Sequence, residues 1–166
     1  MTKLLIRKAS IHDAASIREI YLPYVENSTV TLEIEVPSVD ELECRMQKTL
    51  KSFPYLVALE DDKIIGYAYA GKFRQRQGYS HCAEISLYLR ENNRGKGLGH
   101  ALLTSLENAL IEQDISTLVS VIESSNTGSL KFHEKNGFIQ SGFLPRIGYK
   151  FDRWLDIHLL TKQIQI

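Results

Sequence analysis

Ala83-Glu84-Ile85-Ser86-Leu87-Tyr88-Leu89-Arg90, followed after three residues by Arg94-Gly95-Lys96-Gly97-Leu98-Gly99-His100, is the stretch on which the fold turns. In its first half Ala83, Ile85, Leu87 and Leu89 alternate with Glu84, Ser86, Tyr88 and Arg90, the pattern of a strand whose two faces differ. After the glycines, Leu98, Leu102, Leu106 and Ala109 recur at helical spacing. A strand, a glycine-rich turn and a helix start together present backbone amides and the positive end of a helix dipole to an anion. Two familiar phosphate motifs do not fit. Gly95-Lys96 is followed by Gly97 where a Walker loop needs Ser or Thr, and a dinucleotide fingerprint begun at Gly95 meets His100 where its last glycine belongs.

Outward from this core, Leu4 to Arg7 reads as a strand, and Ser10-Ile11-His12-Asp13 has the spacing of a capping box before a helix. Ala14, Ile17, Tyr21 and Tyr24 form its apolar stripe, with an end or kink expected near Pro23. Ser38-Val39-Asp40-Glu41 starts a second helix striped by Val39, Leu42, Met46 and Leu50. Tyr55–Leu59 and Lys63–Ala70 form a hairpin about Glu60-Asp61-Asp62. Leu118–Ile122 is a strand, Asn126 caps a fourth helix ending at Asn136-Gly137, and Phe138–Phe143 and Trp154–Leu160 close the chain as strands. Strands interspersed with helices, with an early hairpin, predict an α/β fold of mixed α+β type, and the 166 residues predict one domain, 1–166.

Composition narrows the function. Twenty Lys+Arg against 20 Asp+Glu give no net charge, which argues against a nucleic-acid footprint. No run free of charged residues exceeds ten, too short for a membrane span, and the charged start Met1-Thr2-Lys3-Leu4-Leu5-Ile6-Arg7 reads against a secretory leader. Cys44 and Cys82 supply no disulfide framework, and the five histidines show no metal-ligand spacing, so a cytoplasmic chain without a metal is expected. Cys82 adjoins His81, but neighbours on a strand point to opposite faces, and both cysteines are read as structural.

Arg94-x-x-Gly97-x-Gly99, between strand and helix, resembles the pyrophosphate loop of the GNAT N-acetyltransferases, and Asn126 with Phe132-His133-Glu134-Lys135-Asn136-Gly137-Phe138 is similar to a downstream segment of that family. Tyr24–Thr31, Tyr67–Gly71 and Gly148–Asp156 look like its phosphinothricin acetyltransferase branch, so the likeness runs over nearly the whole chain. The resemblance implies a mostly antiparallel sheet flanked by helices, and acetyl transfer from acetyl-CoA to a primary amine by direct attack. It implies that backbone groups of Leu87, Tyr88 and Leu89 hold the pantetheine arm and the acetyl carbonyl. Arg94, Gly95, Lys96, Gly97, Leu98, Gly99 and His100 would hold the pyrophosphate, and Asn126 the arm near the thioester. It further implies a homodimer and a small amino-acid-like substrate.

An ammonium cannot attack a thioester, so a base is required. Glu84 is the only acid on its strand and matches the glutamate of the branch's Ala-Glu-x-x-x-Tyr segment. His133 stands where many relatives have a tyrosine that reprotonates the thiolate; as in the branch, it would protonate the thiolate or relay the amine proton, with Tyr88 and Tyr149 as alternative acids. Phe73-Arg74-Gln75-Arg76-Gln77-Gly78-Tyr79 matches a basic, aromatic segment beside the acceptor pocket. If the preceding strand continues, Arg74 and Arg76 share a side and can clamp a carboxylate. Two other readings are a protein or peptide N-terminal acetyltransferase, which calls for a wide groove, and a coenzyme A sensor without turnover, against which both Glu84 and His133 stand.

Overall fold

In the computed structural model, which describes residues 3–165, the alternating stretch is β4 (Cys82–Leu89), the middle strand of a seven-stranded sheet. On one side of it lie β1 (Leu4–Lys8), β2 (Tyr55–Glu60) and β3 (Lys63–Lys72); on the other lie β5 (Thr117–Glu123), β6 (Ile139–Lys150) and β7 (Arg153–Gln163). The spatial order is β1-β2-β3-β4-β5-β7-β6, and every neighbouring pair is antiparallel except β4 with β5. The mixed, mostly antiparallel sheet expected from the sequence is therefore present.

Four helices cover the sheet: α1 (Ala14–Asn27), α2 (Val39–Leu50), α3 (Leu98–Ile111) and α4 (Thr127–Lys135). Strand alternation divides the core between its two faces. Ala58, Ala68, Ala70 and Ala83 offer α3 a floor of small side chains, into which Leu102, Leu103, Leu106 and Leu110 sink until almost nothing of them is exposed. On the opposite face Ile17, Ile20 and Val25 of α1 and Met46 of α2 pack on Val57, Tyr55 and Tyr67. Burial of one such aliphatic side chain contributes about 1.5–3 kcal/mol. Ser38 Oγ accepts from the Glu41 amide at 3.1 Å to start α2, as its sequence signal predicts. At the start of α1 the Asp13 carboxylate accepts from the Ser10 amide at 2.8 Å and is gripped by both Arg7 terminal nitrogens.

Three expectations require correction. The first helix does not end at Pro23 but continues four residues to Asn27; the proline deprives only the Glu19 carbonyl of its helical donor, and the packing of Ile20, Tyr21 and Val25 outweighs that loss. The closing strands are longer than read: β6 continues through Pro145 to Lys150 across a bulge, and β7 runs on to Gln163. The pairing of β6 with β7 shifts between Leu144 and Gly148, and the Asp156 carboxylate accepts from the Arg146 amide at 2.7 Å. Finally β3 stops at Lys72 and residues 73–81 form a loop with a short 3-10 turn at Gln77–Tyr79, so strand alternation does not bring Arg74 and Arg76 to one side.

Candidate active site

The geometry of the site begins with the one parallel pair. β4 and β5 are in register only at Cys82 with Thr117, Ala83 with Leu118 and Glu84 with Val119; beyond Glu84 they part. Backbone groups of Ile85–Leu89 on the β5 side are thereby released from the sheet, and such groups require another partner. The gap opens into a cleft of ≈ 880 Å³. Leu87, Tyr88 and Leu89 line one wall, and Ser120, Val121 and Ile122 the other.

At the mouth of the cleft Gly95 and Gly97 have φ of +74° and +79°, left-handed values that an L side chain resists. Gly97 begins α3, its carbonyl accepting from Ala101 at 3.1 Å, so the amides of Leu98, Gly99 and His100 have no partner within the helix. A Cβ built on Gly95 or Gly97 would touch nothing within 4 Å; the space above these backbones belongs to the cleft. At Gly99, in contrast, a Cβ would lie 3.1 Å from Phe132, because α3 and α4 approach closely there. Arg94 stacks over Tyr24, 5.2 Å from the ring centre, and His100 Nδ1 donates to Asn136 Oδ1 at 2.6 Å. Arg94, Gly95, Gly97, Gly99, His100 and Asn126 all line the cleft. Lys96 is exposed beside it, and Leu98 turns its side chain into the core, leaving only its backbone for a ligand. Asn126 Oδ1 caps α4 through the Ser129 amide at 3.2 Å, which leaves its side-chain N–H groups for a bound arm.

His133 also lines the cleft, nearly buried between Phe132 and Phe138. Nδ1 donates to the Ser129 carbonyl at 2.7 Å, and Nε2 then accepts from Ser120 Oγ at 2.9 Å. Burial lowers its pKa, so the ring is a neutral Nδ1–H imidazole with its one proton committed. Tyr88 stands edge-on to Tyr21 and Tyr24 at 5.2 and 5.1 Å, and burial raises its phenol well above the ordinary range. Tyr149, the other alternative acid, is half-exposed against Trp154 on the β6–β7 hairpin and takes no part in lining the cleft.

Glu84 lies where β4 and β5 begin to part, on the sheet face opposite α3, close to Tyr69. Burial raises its pKa above the usual carboxylate range, with the positive charge of Arg74 acting in the opposite direction. The charge of Arg74 reaches the glutamate without an ion pair between them among the described residues; Arg74 lies over the Phe73 ring, and both Arg74 and Arg76 are exposed on the loop. Burial likewise raises the Cys82 thiol, in keeping with an inert cysteine. Among the described residues no cluster of His, Cys, Asp and Glu could hold a metal ion. The sequence reading missed Ser120 and Ser129, which fix the His133 ring, and Glu123, which is buried at the end of β5. Serine carries no distinguishing signal in a sequence, and Glu123 gains its partners only through the fold.

The model for the acetyltransferase (GNAT) domain matches residues 6–159. The chain belongs to the GNAT acetyltransferase family. GNAT relatives with similar sequences include a phosphinothricin N-acetyltransferase of Alcaligenes faecalis, 36% identical over 164 residues, covering 96% of this chain and 82% of the relative. An L-methionine sulfoximine/L-methionine sulfone acetyltransferase of Pseudomonas paraeruginosa is 36% identical over 154 residues, covering 92% and 90%. Among solved GNAT structures, a phosphinothricin acetyltransferase of Sinorhizobium meliloti in complex with acetyl-CoA superposes with a TM-score of 0.92 at 35% identity, covering 96% of this chain and 88% of that one. A ribosomal-protein-alanine N-acetyltransferase of Brucella melitensis gives 0.92 at 33%, covering 96% and 99%. The chain is an N-acetyltransferase of this fold.

Proposed function

We propose that the chain transfers the acetyl group of acetyl-CoA to the primary amine of a small amino-acid-like substrate of the phosphinothricin, methionine sulfone or methionine sulfoximine type. The observation that carries this reading is the parting of β4 from β5 just beyond Glu84, with the glycine turn at the mouth of the gap; the Glu84 side chain itself does not line the cleft, so its reach to the amine runs through water. The turn fits a pyrophosphate: two left-handed glycines with open space above them adjoin free helix amides and the Arg94 guanidinium. Released backbone groups of Leu87–Leu89 would hold the arm, and Asn126 would hydrogen-bond to it. Bound acetyl-CoA supplies an activated acyl carbonyl; the amine nitrogen bonds to its carbon and the carbon–sulfur bond breaks.

Within this scheme Glu84 accepts the proton from the ammonium through water, and burial, which raises its pKa, makes it a stronger base than an ordinary carboxylate. A proton must also reach the departing sulfur. His133 and Tyr88 both line the cleft and are the two candidate donors: His133 holds its Nδ1–H against the Ser129 carbonyl and meets Ser120 Oγ through Nε2, and burial keeps the Tyr88 phenol protonated.

Arg74, whose charge reaches Glu84, is suited to the substrate carboxylate, since a guanidinium forms two parallel hydrogen bonds where an ammonium cannot. Arg74→Lys is expected to raise the KM for the amino acid about tenfold while that for acetyl-CoA changes little, read from initial rates with each substrate varied. Arg76→Lys is expected to do less, because the charge of Arg74, and not that of Arg76, acts on Glu84. The decarboxylated amine provides a parallel check: equal efficiency with its parent amino acid would remove the carboxylate contact.

The decisive experiment is a thiol-release screen over methionine sulfone, methionine sulfoximine, phosphinothricin, ordinary amino acids and short peptides. Turnover confined to the small sulfone, sulfoximine or phosphinic compounds supports the proposal. Preference for peptides would favour the second reading, to which the likeness to the Brucella melitensis enzyme lends weight. Thiol release with none of them would return the sensor reading.

A homodimer completes the proposal. Ile147, Tyr149, Phe151 and Trp154 on the β6–β7 hairpin are each more than half exposed, an apolar grouping that a second copy would cover. Light scattering at micromolar concentration is expected to give twice the chain mass, and Trp154→Glu to reduce it to one. We also infer a cytoplasmic location, where acetyl-CoA is available; no helix among the described residues is long and apolar enough to cross a membrane.

A further inference from the structure

Because β4 and β5 share so few backbone pairs, the two halves of the sheet need other ties across the open end of the cleft. The segment after α1 supplies them. Lys150 Nζ, almost fully buried, donates to the Thr31 carbonyl at 2.9 Å, and Leu32 packs so tightly on Gly148 that a Cβ there would come within 2.2 Å of it. The most connected tie is Glu123, 4% exposed at the last position of β5. Its Oε2 accepts from Thr29 Oγ1 at 2.6 Å and from Ser125 Oγ, and its Oε1 accepts from the Ser125 amide at 3.0 Å. Arg153 Nη2 approaches Thr29 Oγ1 at 3.4 Å and adds a positive charge near the carboxylate. One carboxylate thus joins residues 94 positions apart. Each partner adjoins a residue of the cleft wall: Val30 follows Thr29, and Asn126 follows Ser125.

We propose that Glu123 is a positioning residue that couples the two walls of the cleft, so that coenzyme A bound against Asn126 also orders the Thr29–Leu32 segment. A carboxylate with three hydrogen bonds from two separate segments fixes their relative position, and a ligand that restrains one segment restrains the other. The amine then meets a wall already set by the cofactor. This rests on the acetyl-CoA assignment above but not on the identity of the amine.

The test is amide hydrogen exchange of the intact protein with and without coenzyme A, in wild type, Thr29→Ser and Thr29→Val. Coenzyme A is expected to slow exchange in residues 29–33 about tenfold in wild type and in Thr29→Ser, which keeps the hydroxyl. In Thr29→Val, isosteric but without the donor, that slowing is expected to be lost while the Arg94–His100 turn remains protected. Thr29→Val should also raise the KM for methionine sulfone several-fold with little change in that for acetyl-CoA, a split that simple loss of stability does not produce. Protection of residues 29–33 undiminished in Thr29→Val, or absent in wild type when the turn is protected, would overturn the coupling. Absence of protection at the turn itself overturns both the coupling and the cofactor site. Wild-type protein that shows the coupling yet releases no thiol with methionine sulfone leaves the coupling standing and removes only the substrate assignment.

Discussion

Gly97→Val is expected to weaken coenzyme A binding by two orders of magnitude or more, measured by calorimetry. Two effects act together. The residue has φ of +79°, where a β-branched side chain adds about 1–2 kcal/mol of backbone strain. The larger effect is local to the ligand. A Cβ at Gly97 meets no protein atom within 4 Å, so the isopropyl group stands in the cleft and blocks approach of the pyrophosphate to the amides of α3. Gly99→Val differs: its Cβ would press on Phe132 at 3.1 Å, and its damage should register as a lower Tm as well as weaker binding. A folded Gly97→Val protein with wild-type affinity would remove the cradle.

Glu84→Gln should lower kcat/KM by about 10²–10⁴ while coenzyme A affinity stays close to wild type, since a positioned base contributes about that factor. The shape is kept and the basicity is lost. In wild type the rate should rise with pH as Glu84 ionises, with the limb displaced upward from an ordinary carboxylate because burial raises its pKa. In Glu84→Gln that limb should vanish. The stability effect has the opposite sense. A carboxyl whose folded pKa exceeds its unfolded one favours folding fully below the unfolded value and loses that contribution as pH rises through the folded value. At neutral pH the glutamine variant should therefore melt no lower than wild type, and slightly higher. A variant with the wild-type pH–rate profile would move the base elsewhere.

Local patterns carried much of the fold. The alternation in Ala83–Arg90, the Ser38 cap and the helical stripes of α2 and α3 need only neighbours in sequence, and each element stands where its pattern places it. What failed depended on distant partners. Pro23 lies within α1 because residues around it are buried against the sheet, and Pro145 lies within β6 because Asp156 takes the amide of Arg146. The turn Phe151-Asp152, with φ of +51° and +56°, contains no glycine to announce it. At the site, the glycines are legible because their backbone geometry is local. The neutrality of His133 is not, since it follows from burial among side chains of other elements. Arg74 comes near Glu84 by way of a loop whose course no periodicity describes.

Trp154 is the single tryptophan of the chain and is 54% exposed on the β6–β7 hairpin, whereas Tyr55, Tyr67 and Tyr69 stack with centroids 4.7–6.4 Å apart on the inner face of the sheet. Near-ultraviolet dichroism, which requires fixed aromatic packing, reports these tyrosines together with the Tyr149–Trp154 pair, 5.1 Å between ring centres, whereas indole emission comes from the hairpin alone. A blue shift of that emission with rising protein concentration would therefore record the covering of the hairpin by a second molecule without any label.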